Sequence, residues 1–147
     1  MKITPKFTEN DIRNFILKKI EVIQDVVKDQ LVDVAEQFVA DARTVNTYKD
    51  RTSNLRGSIG YAIVKDGVEI FGNFDGVAEG QAKSKQLVNE VQADYPKGFA
   101  LIVVAGMNYA VYVEAKGFDV LTGSSQTAES NLKRQFDRLS RQLKKVK

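Results

Sequence analysis

Ser58-Ile59-Gly60-Tyr61-Ala62-Ile63-Val64-Lys65-Asp66-Gly67-Val68-Glu69-Ile70-Phe71 reads as a β-hairpin, and the rest of the fold can be read outward from it. Ile59, Tyr61, Ile63 and Val64, then Val68, Ile70 and Phe71, are the β-branched and aromatic residues that strands prefer. Asp66-Gly67 supplies the central pair of a type I′ turn, which needs positive φ at both positions. Downstream, residues 99–105 (Phe-Ala-Leu-Ile-Val-Val-Ala) are a third predicted strand, with so little polar alternation that burial on both faces is expected. A sheet of three or four antiparallel strands packed on helices follows.

In front of the hairpin, Thr8 is placed to cap a helix, with Asp11 three residues on in the manner of a capping box. Ile12, Ile16, Ile20, Ile23, Val27, Leu31, Val34, Phe38 and Ala42 then recur at helical spacing. A helix over residues 8–42 would be about 50 Å long, against a diameter of about 40 Å for a compact domain of this size. It should overhang, kink or pack on a neighbour. Phe15, Leu17, Val22, Val26, Val32 and Val39 widen the apolar surface beyond one stripe, so burial in the chain's own core and contact with another subunit both remain open.

Residues 44–50 form a polar connector. The stretch 72–98 is too long for a turn: it opens with Gly72, Gly76 and Gly80 and closes on Tyr95-Pro96-Lys97-Gly98, a helix-stopping sequence. Leu87, Val88, Val91 and Tyr95 suggest a short amphipathic helix inside it. Excursions of this length are usually functional or mobile. Ala128, Leu132, Phe136, Leu139, Leu143 and Val146 mark one face of a final helix. The expected architecture is α+β, one domain over residues 1–147: a long N-terminal helix, the sheet with its helical insertion, and a C-terminal amphipathic helix.

Composition narrows the chemistry. The 147 residues include no Cys and no His, so thiolate nucleophiles, zinc-thiolate sites and the commonest general base near neutral pH are absent. The longest apolar run, 99–106, is far short of the ~18 residues that span a bilayer, and Met1-Lys2-Ile3-Thr4-Pro5-Lys6 lacks the apolar stretch of a signal peptide. A cytoplasmic site of synthesis and no membrane partner are expected. The net charge is +3, but residues 131–147 hold seven basic residues against Asp137 alone, a net +6 that leaves −3 for the remainder.

Two stretches carry further information: Arg51-Thr52-Ser53-Asn54-Leu55-Arg56-Gly57-Ser58-Ile59-Gly60 and Asn108-Tyr109-Ala110-Val111-Tyr112-Val113-Glu114-Ala115-Lys116-Gly117. The first sets cap- and turn-favouring side chains at the mouth of a strand, with Leu55 as an apolar anchor. The second would present Tyr109 and Tyr112 on one face of a helical turn. Together they resemble the bacteriophage tail-completion or head–tail joining family named for gene product ten of a lambdoid phage. That family shows a Thr-Gly-Asn-Leu-Arg-x-Ser-Ile element, a strand hairpin, Tyr-Ala-x-Tyr-Val-Glu-x-x-Gly and a final helix. Thr52, Asn54, Leu55, Arg56, Ser58 and Ile59 match the first element; Tyr109, Ala110, Tyr112, Val113, Glu114 and Gly117 match the second. Ser53 departs from the family's Gly, and a left-handed backbone there would cost Ser about 1 kcal/mol more than Gly, so the local turn is expected to differ. The resemblance runs from about Thr47 to the C-terminus, behind a long helix that the family also has.

What the resemblance implies is a non-enzymatic virion component, a head–tail connector or tail-completion protein that forms a ring-like homo-oligomer at the neck and docks to other neck or tail proteins. The isolated subunit would be monomeric or weakly associated. Synthesis and assembly would take place in the host cytoplasm, and the finished protein would sit in the virion neck or tail. In this light the 72–98 stretch is the variable excursion, placed to contact a partner or the channel.

The residues themselves point to assembly chemistry. No catalytic, cofactor or metal constellation emerges; Ser130-Asn131-Leu132-Lys133 has a Ser-x-x-Lys spacing without its companion motifs. The candidate interface residues are Thr52, Asn54, Leu55, Arg56, Ser58, Tyr109, Tyr112 and Glu114. Tyrosines suit interfaces and half-buried core edges alike, and packing of one ring with exposure of the other is the expected arrangement. Glu114 is expected to pair with a base such as Arg56. Lys133, Arg134, Arg138, Arg141, Lys144 and Lys145 form a basic face that either solvates an amphipathic helix or contacts phosphate, and the second option makes a small nucleic-acid-binding protein the alternative function.

Overall fold

The computed structural model describes residues 6–45, 47–49 and 53–145. Thr52 lies outside the described residues, as does the side chain of Lys145. Helix α1 (Glu9–Thr44) is followed by the single turn α2 (Asn54–Gly57). Strands β1 (Ile59–Lys65) and β2 (Val68–Asn73) make the hairpin, and α3 (Ala78–Val91) continues into a 3₁₀ turn (Gln92–Asp94) ahead of Pro96. Strand β3 (Phe99–Ala105), the short α4 (Ala110–Ala115) and α5 (Thr122–Lys145) complete the chain. The protein is α+β.

Three strands form one antiparallel sheet in the order β2-β1-β3. Asp66 and Gly67 both take positive φ, 51° and 81°, as the hairpin turn requires. The loop before β3 is laced to that turn, because Asp66 N donates to Gly98 O at 2.9 Å and Gly98 N donates to Asp66 Oδ1 at 2.8 Å.

β1 is the central strand and is buried on both faces. Ile59, Tyr61 and Ile63 meet Leu31, Ala35, Phe38 and Val39 of α1, flanked by Ala128, Leu132 and Phe136 of α5. Ala62 and Val64 turn the other way, onto Ile102, Val104 and Val88 of α3. Two helical layers thus sandwich β1 and β3, while β2 stays exposed at the edge. The residues of β3 that face α1 stay half-buried, since β3 is an edge strand. Tyr61 donates to Glu36 Oε1 at 2.6 Å, and Asn73 donates to the same oxygen at 3.2 Å. Burial, with the Glu36 carboxylate second, pushes the Tyr61 hydroxyl's pKa well above its ordinary value.

The Thr8–Asp11 capping box forms as the sequence predicts. At about 54 Å, α1 outruns the rest of the fold, and residues 6–23 are exposed without exception. The overhang has a simple cause: α5 covers α1 antiparallel to it, with Leu139 and Leu143 reaching only Ile23 and Val27.

The 72–98 stretch carries the helical insertion expected, packed on the sheet and not a mobile loop. It closes the hairpin and then becomes α3, whose Gly80, Ser84 and Val88 are buried against the sheet. The physical reason is that the second face of β1, Ala62 and Val64, has to be covered.

Candidate functional site

Leu55, one residue into α2, is 1% exposed and sits in the main core with Phe38, Ala42 and Ile59. Ser58, also 1% exposed, donates its hydroxyl to Leu55 O at 2.8 Å. Both are structural in the monomer rather than open to a partner. Asn54 is half-buried in the same turn. Arg56 reaches back along the connector: its Nη2 donates to Val45 O at 2.6 Å and Tyr48 O at 3.4 Å, and the guanidinium lies 5.2 Å from the Tyr48 ring. Ser53 adopts the left-handed conformation (φ 57°), at the cost of local strain. From the other side, Arg43 Nη2 donates to Ile59 O at 2.9 Å, tying the end of α1 to the start of β1.

A junction of small residues, which the sequence reading passed over, locks this motif to α3. Gly76 (φ 103°) lies so close to Gly57 that a Cβ would overlap the Gly57 carbonyl, and a Cβ on Gly80 would meet Ser58 Cβ at 2.8 Å. A Cβ on Gly106 would overlap the Gly80 carbonyl and Ser84 Oγ. Ser84 Oγ and Gly106 N both donate to Ser58 O, at 3.0 and 3.1 Å. The available signal was the four-residue spacing of Gly80 and Ser84, which lays small residues along one face of α3 for close backbone approach, with Gly76 just ahead of the helix.

The second motif forms α4 and the loops around it. Ala110 is buried in the core that holds Leu55, and Val113 packs against it, so the two motifs meet through their apolar members. Both tyrosines turn outward. Tyr109 is 39% and Tyr112 60% exposed, with Val111 at 78% and Phe118 at 41%. The expectation that one ring would enter the core is corrected: the inward positions of this short helix are Ala110 and Val113, which leaves 109 and 112 on the solvent side. Lys116 Nζ sits 4.5 Å from the Tyr112 ring.

Glu114 does not pair with Arg56. Its carboxylate accepts from Val120 N at 2.7 Å, from Thr122 N at 3.2 Å and from Thr122 Oγ1, and so caps the start of α5. The reason is local, since unsatisfied N–H groups and the positive end of the helix dipole lie within reach. Partial burial by itself would raise this carboxyl's pKa, but the hydrogen bonds from the Thr122 hydroxyl and the backbone of 120–122 outweigh it and hold the pKa below its ordinary value. Asp119 adds to the cap by accepting from Gly123 N at 2.9 Å.

On α5, the side chains of Lys133, Arg134, Arg138, Arg141 and Lys144 are all exposed. Arg134, Arg138 and Arg141 line a shallow open groove with Asp137 and Gln142. Opposite them, Leu132, Phe136 and Leu139 are half-buried against α1, not enclosed in a closed core. Among the described residues no helix is long and apolar enough to cross a membrane, and no group of three or more carboxylates is placed to hold a metal ion. No protein-family model, no curated protein and no solved structure matches the chain.

Proposed function

We propose that this chain is a non-enzymatic structural protein of a phage or prophage virion, a head–tail connector or tail-completion subunit that acts by ring-like self-association at the neck. It is made and assembled in the host cytoplasm and ends in the virion neck or tail. The order of elements supports the reading: long helix, Ser-Asn-Leu-Arg-x-Ser-Ile turn feeding a hairpin, Tyr-Ala-x-Tyr-Val-Glu on a helical turn, and a final helix. The observation that carries it is the overhang of α1, where Ile12, Phe15, Ile16, Leu17, Ile20 and Val22 all stand in solvent. A helix apolar on more than one side calls for a partner. Disrupting the gene in the phage or prophage that encodes it should leave heads and tails unjoined. Infectious particles from the disrupted genome would overturn the assignment.

The basic face of α5 supports a second reading, a small nucleic-acid-binding protein, because Arg134, Arg138 and Arg141 recur on one exposed face. Under the connector reading, duplex DNA binding at about 150 mM salt should be negligible. Replacing the three arginines by Gln should leave folding nearly intact, since exposed charges contribute little each. A DNA binder would instead show log affinity falling with log salt at a slope near −0.9 per phosphate contact, and the triple change would flatten that slope by about 2.7 units. Titration across a salt series decides between them.

A further inference from the structure

Eight apolar residues between Phe7 and Ile23 are each 40–63% exposed. At roughly 200 Å² per residue they present on the order of 800 Å² to water, above the ~300–600 Å² of the largest patch on a typical monomer. It equals the ~800 Å² that each partner contributes to a stable protein–protein interface. Ile12, Ile16, Ile20 and Ile23 continue the seam that α5 covers further along α1, while Phe15 and Val22 lie on another flank.

Apart from Val68, Ile70 and Phe71 on the edge strand β2, another exposed apolar surface is on α4 and the loop after it: Tyr109, Val111, Tyr112 and Phe118, 39–78% exposed, together on the order of 400 Å² by the same measure. The two surfaces lie at opposite ends of the subunit. The overhang leaves the core where α5 ends, at Leu143; α4 is fixed at the start of α5 by the Glu114 cap. The 24 residues of α5 put about 36 Å between them, so neither can cover the other within one chain.

We propose that the α1 overhang of one copy docks on the α4 surface of the next, and that this head-to-tail contact is the joint of the ring. The inference rests on the ring-forming reading above. Pairing two overhangs about a two-fold axis would bury that helix but leave the aromatic surface on α4 open. Head-to-tail contact covers both, and two different complementary surfaces on each subunit are what a closed ring requires. Tyrosines also suit the receiving side, since they add large apolar area with few rotatable bonds and a polar tip for the rim.

Mixing of two disabled variants tests it. One carries Phe15→Glu and Leu17→Glu, the other Val111→Glu and Tyr112→Glu; all four positions are exposed, so both variants should melt like the wild type. In sedimentation at high micromolar concentration the wild type should associate beyond a dimer and each variant alone should be monomeric. An equimolar mixture should give a one-to-one heterodimer and nothing larger, because one intact overhang meets one intact α4 surface. Self-association by the α4 variant alone would overturn the head-to-tail contact in favour of paired overhangs. Rings that persist in both variants would overturn it while leaving the ring itself standing. A wild type that stays monomeric throughout would remove self-association through these surfaces, and the gene-disruption result would still decide the connector assignment separately.

Discussion

Leu55→Ala is expected to lower stability by about 2–5 kcal/mol, the range for truncating a fully enclosed leucine. Leu55 is 1% exposed and is the only buried residue of α2. It fills the space where the end of α1, the entry to β1 and Ala110 of α4 converge. The loss has two parts, the transfer of the removed methyl groups and the cavity left behind. The second should be large, because the walls are a strand buried on both faces and a long helix, neither of which relaxes easily. Urea unfolding measures it as a drop in midpoint with little change in slope. An unchanged midpoint would mean that Leu55 is not enclosed and that the motif serves docking directly.

Gly76→Ala should cost at least as much, roughly 3 kcal/mol or more. Two effects add: φ at 76 is +103°, where L-residues are disfavoured by about 1–2 kcal/mol, and the new methyl would overlap the Gly57 carbonyl, which is backbone and cannot swing aside. Overpacking of this kind typically costs 1–3 kcal/mol. Gly98→Ala is the matched control, since φ there is also positive at 77° but a Cβ would meet nothing within 4 Å. Only the conformational cost of about 1 kcal/mol should appear. Thermal melts should separate the two variants clearly, at about 3 °C per kcal/mol for a domain of this size. Equal losses would show that the 57–76 contact is not tight and that α3 docks without it.

Much of the fold was legible before any coordinates. The hairpin could be read because Asp-Gly between β-formers is a local instruction, and the observed φ values at 66 and 67 follow it. Thr8 and Asp11 marked the start of α1 for the same reason, a short-range pairing of side chain and backbone. Its overhang was one of the outcomes arithmetic left open, since a helix longer than the domain's diameter has to overhang, kink or pack on a neighbour. The candidate site was less legible. Leu55 could be placed in the core, but the outward turn of both tyrosines, the capping role of Glu114 and the conversion of 72–98 into a covering layer could not.

The sequence by itself determined the periodic elements, their order, the hairpin turn and the excess positive charge of the last helix. These depend on neighbours a few residues apart, whose relative positions the backbone sets. The tertiary structure decided which surfaces meet. Glu114 finds the start of α5 six to eight residues on instead of Arg56 because the open N–H groups of a helix end come within 3.2 Å. Gly57 receives Gly76, and Gly80 receives Gly106, because α3 has to cross the second face of β1 at close range. The first half of α1 stays exposed because α5 ends at its middle. The contacts of α3 and of α5 join segments distant in sequence, the Glu114 cap joins two elements across a short loop, and in every case the free energy depends on the shape and burial of both partners at once, which no local pattern of residues encodes.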